Sequence, residues 1–144
     1  MSKRTMRTES KSNSITNVTT NIRNFELTMD QPEDSGGTDE GPTPVEYALA
    51  SLGSCICTMV NMVARKMDLE VDSVKTTVEG DLDHVGVVDP EKIRPGLLDV
   101  RLEVSIEGEL TKAEKEKLIK HAENKCPVTD SLKKPVDVSF RLSE

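Results

Sequence analysis

The residues suited to chemistry are three cysteines, two isolated histidines (His84 and His121) and a glutamate, Glu46, in a helix-opening motif. A cysteine thiolate can attack a peroxide or a disulfide, be oxidised to sulfenic acid, or ligate a metal. Cys126, in KCPVTDSLKK, has the best local case for reactivity. Pro127 suits the first position of a helix, which would put Cys126 at the positive end of a helix dipole and lower its pKa. Cys55 reads as mid-helix and would need a nearby cation. Burial as a small apolar side chain is the bland role open to each cysteine. Cys55 and Cys57 lie two residues apart, about 200° around a helix, so they cannot readily share an ion. No metal or cofactor is expected. A Gly-rich phosphate loop, a G-x-S-x-G elbow and paired C-x-x-C spacing are all missing from the sequence.

The element that must position Cys55 runs through GPTPVEYALASLGSCICTMVNMVARKM, residues 41–67. Thr43, Pro44 and Glu46 form a capping box with proline at the first helical position, which predicts a helix from Thr43 to about Asp68. Such a helix is about 36 Å long. No charge lies between Glu46 and Arg65, in a chain that is 31% charged. Apolar residues cover most of the circumference, predicting burial on nearly all sides. Ser51, Ser54, Thr58, Asn61 and Arg65 make a narrow polar stripe, with Cys55 beside it. A membrane span is the weaker reading, because polar residues and Gly53 interrupt an uncharged run of 18.

At 144 residues the chain is long enough for one domain with a real core. Aromatic content is 2% with no Trp, so aliphatic residues and Met must fill that core. Net charge is −7; residues 1–13 carry four cations against Glu9, net +3, which leaves −10 for the rest. That balance argues against nucleic-acid binding. Residues 1–13 read as a flexible solvated tail, without the apolar core of a secretory signal. Residues 14–144 read as a single domain. Three cysteines, an odd number, suit a reducing, cytoplasmic setting.

Along the chain, Val18, Thr20 and Ile22 alternate, as do Phe25, Leu27 and Met29, predicting two strands around a turn at Arg23-Asn24. An acidic loop follows from Gln31 to Gly41. Beyond the helix, Val71–Leu82 and Leu98–Ile106 read as strands joined by a polar connection. Thr111 and Glu114 open a charged helix to about Lys125, and a short helical turn runs from Cys126 to Leu132. Val136, Val138, Phe140 and Leu142 alternate as a final strand. The layout ββ-α-ββ-αα-β is an α+β pattern.

GPTPVEYALASLGSC, followed 70 residues after its cysteine by KCPVTDSLKK, resembles the family of osmotically inducible protein C (OsmC) and organic hydroperoxide resistance (Ohr) proteins. The resemblance covers roughly residues 15–142. It implies an α+β fold in an intertwined homodimer, with long central helices wrapped by strands from both chains. It further implies a thiol peroxidase in which an organic hydroperoxide oxidises Cys55 to a sulfenic acid. Cys126 then closes a disulfide that a dithiol or a lipoylated protein reopens. Glu46 would join Cys55 and Cys126 as a site residue. On one straight helix it lies about 13.5 Å from Cys55 and on the opposite side, so it would act through the partner chain. In the hydroperoxide reductase branches an acidic residue follows the motif proline directly; Val45 stands there here, and Glu46 marks the broader OsmC-like branch. The alternative is a non-peroxidase dimer that binds a small apolar or thiol-reactive ligand, with structural or sensory cysteines. No nucleic-acid or membrane partner is implied.

Overall fold

The computed structural model describes residues 2–143, which divide between Ala48 and Leu49 into two compact units. In the first, strands β1 (Glu9–Ser12), β2 (Val18–Ile22) and β3 (Phe25–Met29) form an antiparallel meander. Arg23 and Asn24 make the β2–β3 turn, with Ile22 paired to Phe25. Arg23 takes φ +55°, the left-handed backbone that tight hairpin turns require. Its guanidinium lies 5.1 Å from the centre of the Phe25 ring, a cation–π contact. β1 falls inside the stretch expected to be tail. All four of its residues are exposed, so it is held by backbone pairing to β2 and by Ser10 bonding Thr20 at 2.8 Å. No hydrophobic pattern could announce such a strand.

The acidic loop after β3 is folded around Asp30, which is fully buried. One carboxylate oxygen accepts the Thr38 hydroxyl at 2.6 Å and the Thr38 and Glu40 N–H groups at 3.3 and 3.2 Å. The other accepts the Gln31 N–H at 2.7 Å. The Thr38 hydroxyl leads the groups that hold this acid far below the ordinary carboxylate range, against the opposing effect of burial. The loop is therefore shaped by one buried anion and delivers the chain to the helix start. There the expected capping box is present: Thr43 Oγ1 accepts the Glu46 N–H at 3.2 Å, and Glu46 accepts the Thr43 N–H at 2.7 Å. Such a cap is worth about 0.5–2 kcal/mol.

Helix α1 (Pro44–Lys66) begins at this cap and runs on into the second unit. After it come β4 (Ser73–Asp81), α2 (His84–Val88), β5 (Asp99–Glu107), α3 (Lys112–Lys125) and α4 (Pro127–Lys133). β4 and β5 pair antiparallel, with Val74 opposite Ile106, Thr76 opposite Val104 and Val78 opposite Leu102. The period of two turns these residues inward and leaves Glu79, Asp81, Asp99 and Arg101 outside. Leu52, Ile56, Val60, Val63 and Ala64 of α1 build the core with Ile106, Leu118 and Ala122. Fully burying a side chain of this size contributes roughly 1.5–3 kcal/mol. Gly53 lets α1 approach β4: a Cβ there would sit 2.8 Å from Thr76 Oγ1.

Three sequence expectations need correction. α1 is buried along one side rather than nearly all round; Val45, Met62 and the polar stripe stay exposed, because one short chain has too few elements to wrap it. Residues 136–142 form no strand, and Phe140 is 95% exposed. Their alternation asks for a neighbouring strand, and none is bonded to them among the described residues. Finally, α2 lies within the stretch expected to be a plain connection. Asp83 caps it by accepting the Val85 N–H at 2.8 Å, but five residues are too few for a helical period to show.

Candidate functional site

Cys55 lies in the middle of α1, between Ser51 and Thr58 on the polar stripe. Two of its hydroxyls are satisfied within the helix: that of Ser54 donates to the Ser51 carbonyl, and that of Thr58 to the Ser54 carbonyl. Cys126 arrives from the other direction. α3 opens with a complete Thr111–Glu114 capping box and packs through Leu118 and Ala122, both fully buried. It ends at Cys126, where Pro127 removes the next N–H and starts α4. Cys126 is thus the junction of two helices, and only 1% of its surface is exposed.

The two elements bring Cys55 Sγ and Cys126 Sγ to 2.8 Å. Both are free thiols, and Cys55 is the more open of the two. Cys57, two residues on, faces β4 instead, with Sγ 3.7 Å from the Val74 carbonyl and 3.6 Å from Thr76 Oγ1. The divergence expected of neighbouring helical positions separates it from the pair. Among the described residues no cluster of His, Cys, Asp and Glu is suited to hold a metal.

The surroundings treat the two thiols differently. Burial pushes the Cys55 thiol up, its contact with Cys126 pushes it further, and only the Val128 N–H acts the other way. None of these groups is a cation. Burial acts against ionisation of Cys126 as well, but the Cys55 contact, the Thr129 hydroxyl and the Thr129 and Val128 N–H groups together bring it below the ordinary thiol value. The Thr129 N–H donates to Cys126 Sγ at 3.4 Å. Within this chain Cys126 is therefore the sulfur better suited to carry negative charge, as its place ahead of Pro127 suggested.

A cavity of about 680 Å³ opens in the same unit. Leu52 and Ile56 of α1, Val100 and Leu102 of β5, and Ile119 supply apolar wall, and Thr129 joins it to the cysteine region. Its size is ordinary for a small-molecule site. Arg94 and Lys133 supply cationic lining and Asp99 and Glu123 acidic lining, with Lys133 paired to Glu123. The sequence analysis assigns no role to Thr129, although it follows Cys126-Pro127 at the position where an N-cap side chain receives a backbone N–H. Glu46, the third expected site residue, has the capping bonds already described.

Residues 37–141 match the family described as OsmC-like protein. The chain belongs to the OsmC-like family. The fold agrees with solved OsmC structures. One is an OsmC-like protein from Mycoplasma pneumoniae, 19% identical, with a TM-score of 0.79 over 90% of this chain and 88% of that one. Another is an organic hydroperoxide resistance protein OsmC from Legionella pneumophila, 25% identical, with a TM-score of 0.72 over 95% of each chain. A third, an organic hydroperoxide resistance protein from Elizabethkingia anophelis, is 21% identical, with a TM-score of 0.70 over 93% of this chain and 91% of the other. No curated protein matches the chain by sequence.

The pairing has a direct chemical consequence. Mild oxidation of the OsmC-like protein is expected to give an intramolecular Cys55–Cys126 disulfide and leave Cys57 alkylatable. Non-reducing peptide mapping reads this out. A Cys55–Cys57 link, or cross-linked chains only, would contradict it.

Proposed function

We propose that this OsmC-like protein is a cysteine peroxidase that reduces organic hydroperoxides through Cys55 and Cys126. The observation that carries the reading is the 2.8 Å approach of the two sulfurs within one chain. In the first step the Cys55 thiolate attacks the distal oxygen of the hydroperoxide. An S–O bond forms, the O–O bond breaks, and the alkoxide takes a proton to leave as alcohol. In the second, Cys126 attacks the sulfenic sulfur, the S–S bond closes, and the hydroxyl leaves as water. A dithiol or a lipoylated protein returns two electrons and two protons. The apolar cavity wall suits the organic group of such a substrate.

We place the active form in a homodimer, in a reducing cytoplasmic setting. Cys55 needs a cation to ionise readily, and the groups acting on it within this chain supply none. The side of α1 carrying Met62, which is 53% exposed, and the exposed Val136, Val138, Phe140 and Leu142 offer apolar surface for a second copy to cover. Because the hydroxyls of Ser54 and Thr58 are already bonded to the helix, burying that side leaves neither unsatisfied. Glu46, exposed at the helix start, would orient a cationic side chain in the partner's pocket beyond its capping role.

The cavity also fits a second reading, an OsmC-like dimer that binds a small apolar or thiol-reactive ligand without turnover. Steady-state consumption of cumene hydroperoxide with dihydrolipoamide separates the two. Catalytic turnover by wild type and its loss in Cys55→Ser are expected, the loss being at least a hundredfold if covalent catalysis is removed. Stoichiometric reaction without turnover, or equal rates in the variant, would favour the ligand-binding reading. For the assembly, light scattering at micromolar concentration is expected to give twice the 15.9 kDa chain mass. A mass equal to that of one chain would remove the dimer.

A further inference from the structure

The disulfide cycle leaves one question that the geometry around Cys126 addresses: which sulfur leaves when a reductant opens the bond. Thr129 stands at that sulfur. Its N–H donates to Cys126 Sγ at 3.4 Å. Its hydroxyl oxygen is buried and makes no hydrogen bond of good geometry, yet it is among the groups that favour negative charge on the Cys126 sulfur. A buried hydroxyl without a well-aligned partner costs stability. Valine, of nearly the same shape, would avoid that cost. Here the hydroxyl lies beside a sulfur that becomes a strong acceptor when it carries charge.

We propose that Thr129 is a positioning residue that receives Cys126 as a thiolate and thereby directs reductive opening of the disulfide to Cys55. The inference rests on the Cys55–Cys126 cycle proposed above. The exposure of the two sulfurs points the same way, since Cys55 is partly open and Cys126 is 1% exposed. A thiolate of the dithiol attacks Cys55 Sγ, forming a mixed disulfide. The Cys55–Cys126 bond breaks, and its electron pair goes to Cys126 Sγ, where the Thr129 hydroxyl and N–H both donate to it. The second thiol of the reductant, after losing its proton, attacks the reductant sulfur of the mixed disulfide. Cys55 is released as a thiolate, and the reductant departs as a cyclic disulfide. The two protons given up by the dithiol end on Cys55 and Cys126. A leaving sulfur of lower pKa departs faster, so the hydroxyl accelerates opening on this side.

The test compares Thr129→Val, which removes only the hydroxyl, with Thr129→Ser, which keeps it. In a Cys55→Ser, Cys57→Ser background Cys126 is the sole thiol, and ultraviolet thiolate absorbance titrates it alone. Thr129→Val is expected to raise its midpoint by about one pH unit. Thr129→Ser should restore it. With the cysteines intact, reduction of the preformed disulfide by dithiothreitol should slow about threefold in Thr129→Val and recover in Thr129→Ser. Thermal stability of reduced Thr129→Val should match or exceed wild type, because that hydroxyl is gone. Thr129→Ala gives the same comparison if valine disturbs the fold. An unmoved titration midpoint, or a valine variant that is destabilised yet reduced at the wild-type rate, would overturn the proposal. If wild type forms no Cys55–Cys126 disulfide, the cycle itself and the directing role fail. The titration of reduced protein then still decides whether the hydroxyl binds the Cys126 sulfur.

Discussion

The packing of α1 against β4, β5 and α3 is the interaction on which the rest of the second unit depends. The chain holds two Phe, one Tyr and no Trp, so its core must come from aliphatic side chains. Among the described residues, Leu52, Ile56, Val60, Val63 and Ala64 of α1 make up most of the buried apolar set. Gly53 sets how close the helix comes to β4, and Leu118 and Ala122 set where α3 lies. Cys126 follows at the end of α3, so the same core that stabilises the unit delivers it to Cys55. A cavity-forming change in this cluster, costing about 2–5 kcal/mol, would disturb stability and sulfur geometry together.

The two cysteines meet, but they are not equivalent. Cys126 is buried and surrounded by donors, whereas burial acts on Cys55 without a compensating cation. A peroxide-reactive cysteine needs thiolate character and access. In this chain Cys55 has the access and Cys126 the stabilised charge. The proposed dimer reconciles these by adding charge at Cys55, and the proposed role of Thr129 gives the stabilised charge at Cys126 a use in the return half of the cycle.

Much of this was legible in the sequence because it is periodic or capped. The uncharged run after Thr43-Pro44-Val45-Glu46 announced α1, the alternation from Leu98 to Ile106 announced β5, and Thr111 with Glu114 announced α3. The OsmC resemblance, carried by the segments around Cys55 and Cys126, was borne out by family and fold. Other features left no such trace. β1 is polar throughout, and α2 is a single capped turn. Asp30 reads as one acid in an acidic loop, although it is the residue around which that loop folds. The alternation from Val136 to Leu142 was real, but nothing within the described chain pairs with it. Residue patterns record which face is apolar; they do not record what covers it.

The central claim is that Cys55 takes the peroxide oxygen and Cys126 resolves it. Trapping with dimedone, a sulfenic-acid reagent, tests it most directly, after one equivalent of cumene hydroperoxide is added to reduced protein and to Cys126→Ser. One dimedone adduct on Cys55 is expected in Cys126→Ser. Wild type should give little or none, because the disulfide closes first. An adduct on Cys57 or Cys126, or unreacted thiols throughout, would contradict it.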